Sequence, residues 1–368
     1  MKRIALSLIV VSGLSVAACG QQGASNAAAK TEDHSPHAVQ FVTVDRDVRL
    51  EVLDWGGNGR PVILLAGLGY DAHVFDTFAT KLNSAYHVYG ITRRGIGASS
   101  IPEPDGQNYS ADRLGDDILG VMTVLKIERP VLVGHSIAGE ELSSIGSRYP
   151  DKVAGLVYLD AGYPYAFYND NAKRGLDPVA DIAKVQIELD KFKTFLPPKE
   201  RRERAEHLLN VSLPRLESDI QEGLKQAKNT PDNTPMPPDT PKTRASIALR
   251  RGTEIYTGVK CPVLAIFAVP HDFGPLGKTD AAVRAEMVAK DKAEVSEQAD
   301  AFQSGNPQAH VVRIANADHF VFRSNEADVL REINDFISKL STPCSGYRRA
   351  IASRITLSAA RSASVTGS

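Results

Sequence analysis

The stretch "PVLVGHSIAGEEL", residues 130–142, runs an apolar segment, Pro130 to Val133, straight into Gly134, His135 and Ser136, with Ile137, Ala138 and Gly139 behind them. The first part has strand character and the part after Gly139 has helix character. A hydroxyl at such a junction is either an incidental turn residue or a group held out where chemistry needs it. The small residues bear on that choice. A serine on a sharp strand-to-helix turn points its oxygen away from the sheet edge, and bulky neighbours on either side would collide with the adjoining strand and helix. Gly134 and Ala138 keep those flanks small.

Outward from this stretch the pattern alternates. "VQFVTVD" (39–45) and "RLEVLDW" (49–55) read as a hairpin with alternating apolar residues. "PVILLAG" (61–67) is continuously apolar, as expected of a strand covered on both faces. Further strand-like runs are "YHVYGIT" (86–92), "PVLVGH" (130–135), "VAGLVYLD" (153–160), "CPVLAIFAV" (261–269) and "AHVVRI" (309–314). Between them lie helix-like segments: 73–82, 110–125 with Ser110 as N-cap, 137–149, about 279–302 and 325–340. Strands alternating with helices predict an α/β fold, a mostly parallel, doubly wound sheet of eight strands with helices on both faces. Residues 163–251 interrupt the series with charged, helix-prone sequence and a Pro-rich loop, "TPDNTPMPPDTP" (230–241). This reads as a helical cap inserted after the sixth strand, over the strand ends where binding loops gather.

Composition narrows the class without naming it. A formal net charge of −1 gives no global pull toward nucleic acid, and 42% hydrophobic with 24% charged residues suits a globular domain, here residues 38–340. The N-terminus is more specific. Lys2 and Arg3, an apolar run from Ile4 and small residues ending at Cys19 have the layout of a secretory signal. "VAAC" (16–19) resembles the lipobox of bacterial lipoproteins, which implies an acylated Cys19, a flexible tether over 20–37 and a lipid anchor on the periplasmic side of a membrane, the outer membrane by expectation. The last segment, 341–368, is rich in Ser, Ala and Arg and is expected to be a disordered tail. An oxidising compartment permits Cys261 and Cys344 to pair, but spacing does not decide it.

With these runs in place, "GHSIAG" is close to the G-x-S-x-G nucleophile elbow, with Ala138 at the second glycine position. The chain resembles the α/β-hydrolase superfamily. "LLAGLGYDAHVFD" (64–76) is similar to the family's loop after the third strand, with Ala66 in place of its usual His. "ITRRGIGAS" (91–99) matches an Asp-x-Arg-Gly-x-Gly-x-Ser run at Arg94, Gly95, Gly97 and Ser99, and "NADHFVFRSNEADVLREINDFI" (316–337) resembles the segment carrying the catalytic His. The resemblance implies Ser136 as nucleophile, His319 as general base and the N–H groups of Leu68 and Ile137 as the oxyanion hole. Asp272, after the strand ending "IFAV", is the expected acid; Asp160 is the alternative, and Asp318 a further one. His271 is expected to be solvated or bonded within its loop, and His135 to pack locally.

The same resemblance implies hydrolysis of a small or medium carboxylic ester through an acyl-enzyme. Amidase, peptidase or lactonase chemistry, and a ligand-binding homologue with weak turnover, remain alternatives. A serine at the elbow argues against the dehalogenase and epoxide hydrolase branches, which use Asp there. Tyr163, Tyr165, Phe167 and Tyr168 follow the sixth strand and either line a pocket or hold the cap to the core. No metal-ligand cluster or Gly-rich phosphate loop is evident, so no metal and no cofactor is expected.

Overall fold

The computed structural model describes residues 37–169, 178–192, 194–274 and 280–340. The signal, Cys19, the tether before His37, Cys344 and the C-terminal tail lie outside the described residues. Among the described residues no helix is long and apolar enough to cross a membrane.

Eight strands form one sheet in the order β1-β2-β4-β3-β5-β6-β7-β8. They are β1 (Ala38–Asp45), β2 (Val48–Gly56), β3 (Pro61–Leu65), β4 (His87–Ile91), β5 (Val131–His135), β6 (Gly155–Leu159), β7 (Val263–Ala268) and β8 (His310–Ile314). The β1–β2 and β2–β4 pairs are antiparallel. All other pairs are parallel. The predicted α/β sheet is therefore present, strand for strand.

Alternation along the central strands divides the core in two. Ile63, Leu132, Leu156, Tyr158 and Ala265 enter one layer, while Val62, Leu64, Val131, Val133, Val157 and Ile266 enter the other. Full burial of a Val, Leu or Ile side chain contributes about 1.5–3 kcal/mol, so a one-residue slip would reverse both layers at once.

The helices are α1 (Asp76–Leu82), α2 (Ala111–Val124), α3 (Ala138–Arg148), α4 (Pro178–Phe192), α5 (Pro198–His207), α6 (Leu213–Asn229), α7 (Pro241–Arg251), α8 (Ala281–Gly305), α9 (Val321–Ser324) and α10 (Glu326–Lys339). Ser110 caps α2, its hydroxyl accepting the Arg113 N–H at 3.3 Å. Helices α4 to α7 make up the inserted cap. Its last helix reaches the strand ends: Ala245 and Leu249 pack with Ile96, Tyr109 and Leu114, and Leu68 lies against the same cluster. Tyr168 ties the cap's start down, donating its hydroxyl proton to Asp181 Oδ1 at 2.5 Å.

Candidate active site

Ser136 sits immediately after β5 with φ +54°, a left-handed conformation that costs a non-glycine residue on the order of 1–3 kcal/mol. Two hydrogen bonds hold it there. Its N–H donates to Leu159 O at 3.2 Å, and its carbonyl accepts the Gly139 N–H at 2.9 Å. The need for small residues is geometric. A Cβ on Gly134 would lie 2.9 Å from Leu142 Cδ1, and one on Gly139 would lie 2.1 Å from Ala161 O. A side chain at 139 would strike backbone and cannot fit, while one at 134 would force the buried Leu142 side chain to move.

His319, in the loop between β8 and α9, meets this serine. Its Nε2 lies 2.9 Å from Ser136 Oγ and its Nδ1 lies 2.7 Å from Asp160 Oδ2. Asp160 directly follows β6 with φ +47° and is fully buried. Every partner of its carboxylate is a donor. Oδ1 accepts the Tyr163 hydroxyl at 2.8 Å and the Ala268 N–H at 3.1 Å, and Oδ2 accepts from His319 and from His271 Nε2, the latter at 2.7 Å. Burial works to raise the pKa of this carboxyl, but the His271 charge and the two imidazole hydrogen bonds outweigh it and hold Asp160 well below the usual carboxylate range.

The expectation that Asp272 partners His319 is corrected here. After a bend at Val269 and Pro270 the chain is extended again at His271, which bridges to Ala317 in the loop that carries His319. Successive side chains on an extended segment point to opposite sides. His271 points inward to Asp160, so Asp272 points outward, where it is exposed and accepts the Gly274 N–H at 2.8 Å. Asp318 is also elsewhere: its Oδ1 accepts the Phe320 N–H at 2.7 Å, closing a local turn. His271 is buried and not solvated; its Nδ1 and backbone N–H meet the two oxygens of Asp291 at 2.9 and 2.7 Å.

The loop after β3 approaches the elbow so closely that a Cβ on Gly67 would lie 2.9 Å from His135 Nδ1 and 3.2 Å from Ser136 Cβ. Arg93 fastens this loop, donating to Gly67 O at 3.0 Å and Ala66 O at 2.5 Å, while Glu141 accepts its Nε–H at 2.7 Å. The sequence reading singled out Arg94, which instead pairs with Asp117 at 2.7 and 2.6 Å and braces α2. Among the described residues, the backbone N–H groups of Leu68 and Ile137 are not taken up by a protein acceptor. His135 is neutral, its pKa pushed down to about 3 chiefly by burial, and its Nε2 bonds to the His319 carbonyl at 2.8 Å.

The aromatic run after β6 splits in two. Tyr163 bonds the Asp160 carboxylate, and Tyr165 packs beside it with ring centroids 5.8 Å apart. Phe167 faces away, buried against Phe302 of α8 at 5.1 Å between centroids, so it holds the core and does not line the site. Cys261 is buried, its thiol pushed up to about 12 by desolvation. Two sets of donor atoms among the described residues lie close enough to share an ion, Asp160–His271–His319 and His37–His73–Asp76. In the first, the imidazoles and carboxylate are already bonded to one another.

Comparison with known proteins agrees with this architecture. The profile described as the alpha/beta hydrolase family matches residues 62–332. The chain is 33% identical over 117 residues to a fluoroacetate dehalogenase of a Burkholderia species, covering 31% of this chain and 38% of that protein. It is 29% identical over 104 residues to a 2-(acetamidomethylene)succinate hydrolase of Mesorhizobium japonicum, covering 28% and 36%. The matched stretch thus spans under two fifths of these curated relatives. Among solved structures, the bromoperoxidase from Bacillus anthracis superposes with a TM-score of 0.53 at 18% identity, covering 82% of this chain and all of that one. An esterase from Thermogutta terrifontis gives 0.50 at 18% identity, with 83% and 99% covered. These two share the fold. With the profile match running from β3 to α10, the chain belongs to the alpha/beta hydrolase family.

Proposed function

We propose that this protein is a serine hydrolase that cleaves a small or medium carboxylic ester through an acyl-enzyme. The observation that carries the reading is the single imidazole of His319 bonded on one side to Ser136 Oγ and on the other to the buried Asp160 carboxylate. In the first half-reaction Ser136 Oγ bonds to the carbonyl carbon while its proton passes to His319 Nε2. Asp160 keeps the other ring proton on Nδ1 and stabilises the imidazolium that forms. The N–H groups of Ile137 and Leu68 then stabilise the oxyanion, each contributing on the order of 3 kcal/mol. The intermediate collapses, the bond to the alcohol oxygen breaks, and His319 returns the proton to the leaving alcohol. Water attacks the acyl-enzyme by the same route and restores Ser136.

A serine hydroxyl bonded to an imidazole base, with the Leu68 and Ile137 backbone N–H groups beside it, fits acyl transfer. The dehalogenase name of one relative concerns a different bond. A matched panel of p-nitrophenyl acetate, longer p-nitrophenyl esters, anilides and simple lactones tests the assignment. Esters are expected to turn over with kcat/KM at least about tenfold above the anilides and lactones. Faster lactone or anilide turnover would reassign the substrate, and no turnover with any compound would leave a binding protein.

We further infer that the mature chain is exported and held at the periplasmic face of a bacterial membrane through an acylated Cys19. Its support is the signal layout and the "VAAC" run. Several acyl chains on one residue give durable anchoring where one chain binds marginally. Cys19→Ser is expected to move the protein out of the membrane fraction on expression in a Gram-negative host. An unchanged membrane fraction would contradict the anchor.

A further inference from the structure

Behind the Asp160–His319 hydrogen bond lies an ion pair for which the hydrolytic reading gives no use. Both ring nitrogens of His271 face carboxylate oxygens, Nε2 to Asp160 at 2.7 Å and Nδ1 to Asp291 at 2.9 Å. An ionised carboxylate only accepts, so both nitrogens must carry protons and the ring is an imidazolium. Burial lowers its proton affinity, but the two carboxylates outweigh that and bring it up to about 10, so the charge persists through neutral pH. The clamp is built rather than incidental. Its three members are at most 8% exposed, and Asp291 also accepts the His271 backbone N–H at 2.7 Å. Asp160, His271 and Asp291 come from β6, the loop after β7 and α8, so three elements converge on one chain of charges.

We propose that His271, held by Asp291, is a positioning residue that locks Asp160 Oδ2 against His319 and, by sharing that oxygen, extends ester hydrolysis to lower pH. This rests on the serine hydrolase reading above. The electrostatics give a sign. Asp160 Oδ2 accepts from two imidazoles at 2.7 Å each, one permanently charged, with the ring centroids 6.1 Å apart. The fixed cation sits on the same oxygen that faces His319 and offsets part of that carboxylate's negative charge there. The other groups facing the clamp are Tyr163, on Asp160 Oδ1, and Tyr165 beside it. On the outer side Asp272 is exposed, and Arg284 donates to the Gly274 carbonyl at 2.7 Å. None of these places a second cation on Asp160.

The test compares His271→Gln and Asp291→Asn with the unaltered protein, using p-nitrophenyl acetate across pH 4 to 9. His271→Gln removes the cation next to Asp160 and is expected to move the acid limb of kcat/KM up by about one pH unit or more. The direction holds even if Asp291 then takes up a proton, because the charge lost is the one touching Asp160. Asp291→Asn leaves the cation and removes the farther anion, so the limb is expected to move down. A packing role would lower the plateau in both variants and leave the limb in place, and that result would overturn the proposal. Should His271→Gln not fold, the Asp291→Asn limb decides alone. The His319 ring titration followed by NMR in a Ser136→Ala background gives the same two shifts without turnover. Absent turnover with both NMR shifts present would therefore fault the hydrolase reading and spare the clamp, whereas turnover with neither shift would do the reverse.

Discussion

Asp160→Asn is expected to lower kcat for ester hydrolysis about 10⁴-fold, while Asp272→Asn stays within about threefold of the unaltered protein. The magnitude is that of losing the buried partner that sets the tautomer and orientation of a catalytic imidazole. The local chemistry makes the loss severe. The Tyr163 hydroxyl, the Ala268 N–H, His271 and His319 all donate to the Asp160 carboxylate. An amide has one accepting end and one donating end, so whichever way the substituted side chain turned, its NH₂ would oppose two donors. Asp272 bonds only its own turn and is exposed. Steady-state kinetics on p-nitrophenyl acetate with both variants checks this, with thermal melts to confirm that each is folded. A larger loss from Asp272→Asn would reverse the assignment of the acid.

The second large effect concerns the nucleophile. Ser136→Ala should lower kcat by about 10⁶, the scale on which removing the attacking group of an acyl-transfer triad is felt. The residual rate comes from binding and the backbone donors alone. Stability should move little, because the Ser136 backbone bonds to Leu159 and Gly139 are untouched and alanine fits wherever serine does. That combination, an intact melt with turnover abolished, separates a chemical role from a structural one. Retained turnover would mean that another group attacks the substrate.

The elbow and the imidazole were legible because their signals are local. Ser136 stands among small residues whose need is set by neighbours within a few positions, and His319 precedes a strongly patterned final helix. The sheet was legible for the same reason, since each central strand is a short, continuously apolar run, as a strand covered on both faces must be. The acid was not local. Whether Asp272 or His271 faces inward depends on the parity of one extended segment and on its bridge to Ala317, which is separated from it by a helix and a strand. Asp291 has no signal at all in sequence, being one charge on a helix that carries many. Arg93 and Arg94 are neighbours with identical chemistry, and only the turn of the chain sends one to the Gly67 loop and the other to Asp117. The role of Phe167 stays open in sequence because an aromatic after a strand end is equally suited to a pocket wall and to the core, and in the fold α8 claims it.

Covalent labelling with a fluorophosphonate, followed by peptide mass mapping, puts the central claim to its most direct test. The account predicts one adduct, on Ser136 Oγ, formed quickly by the unaltered protein, slowed by Asp160→Asn and absent from Ser136→Ala. Labelling at a different residue, or none on a folded protein, would contradict it.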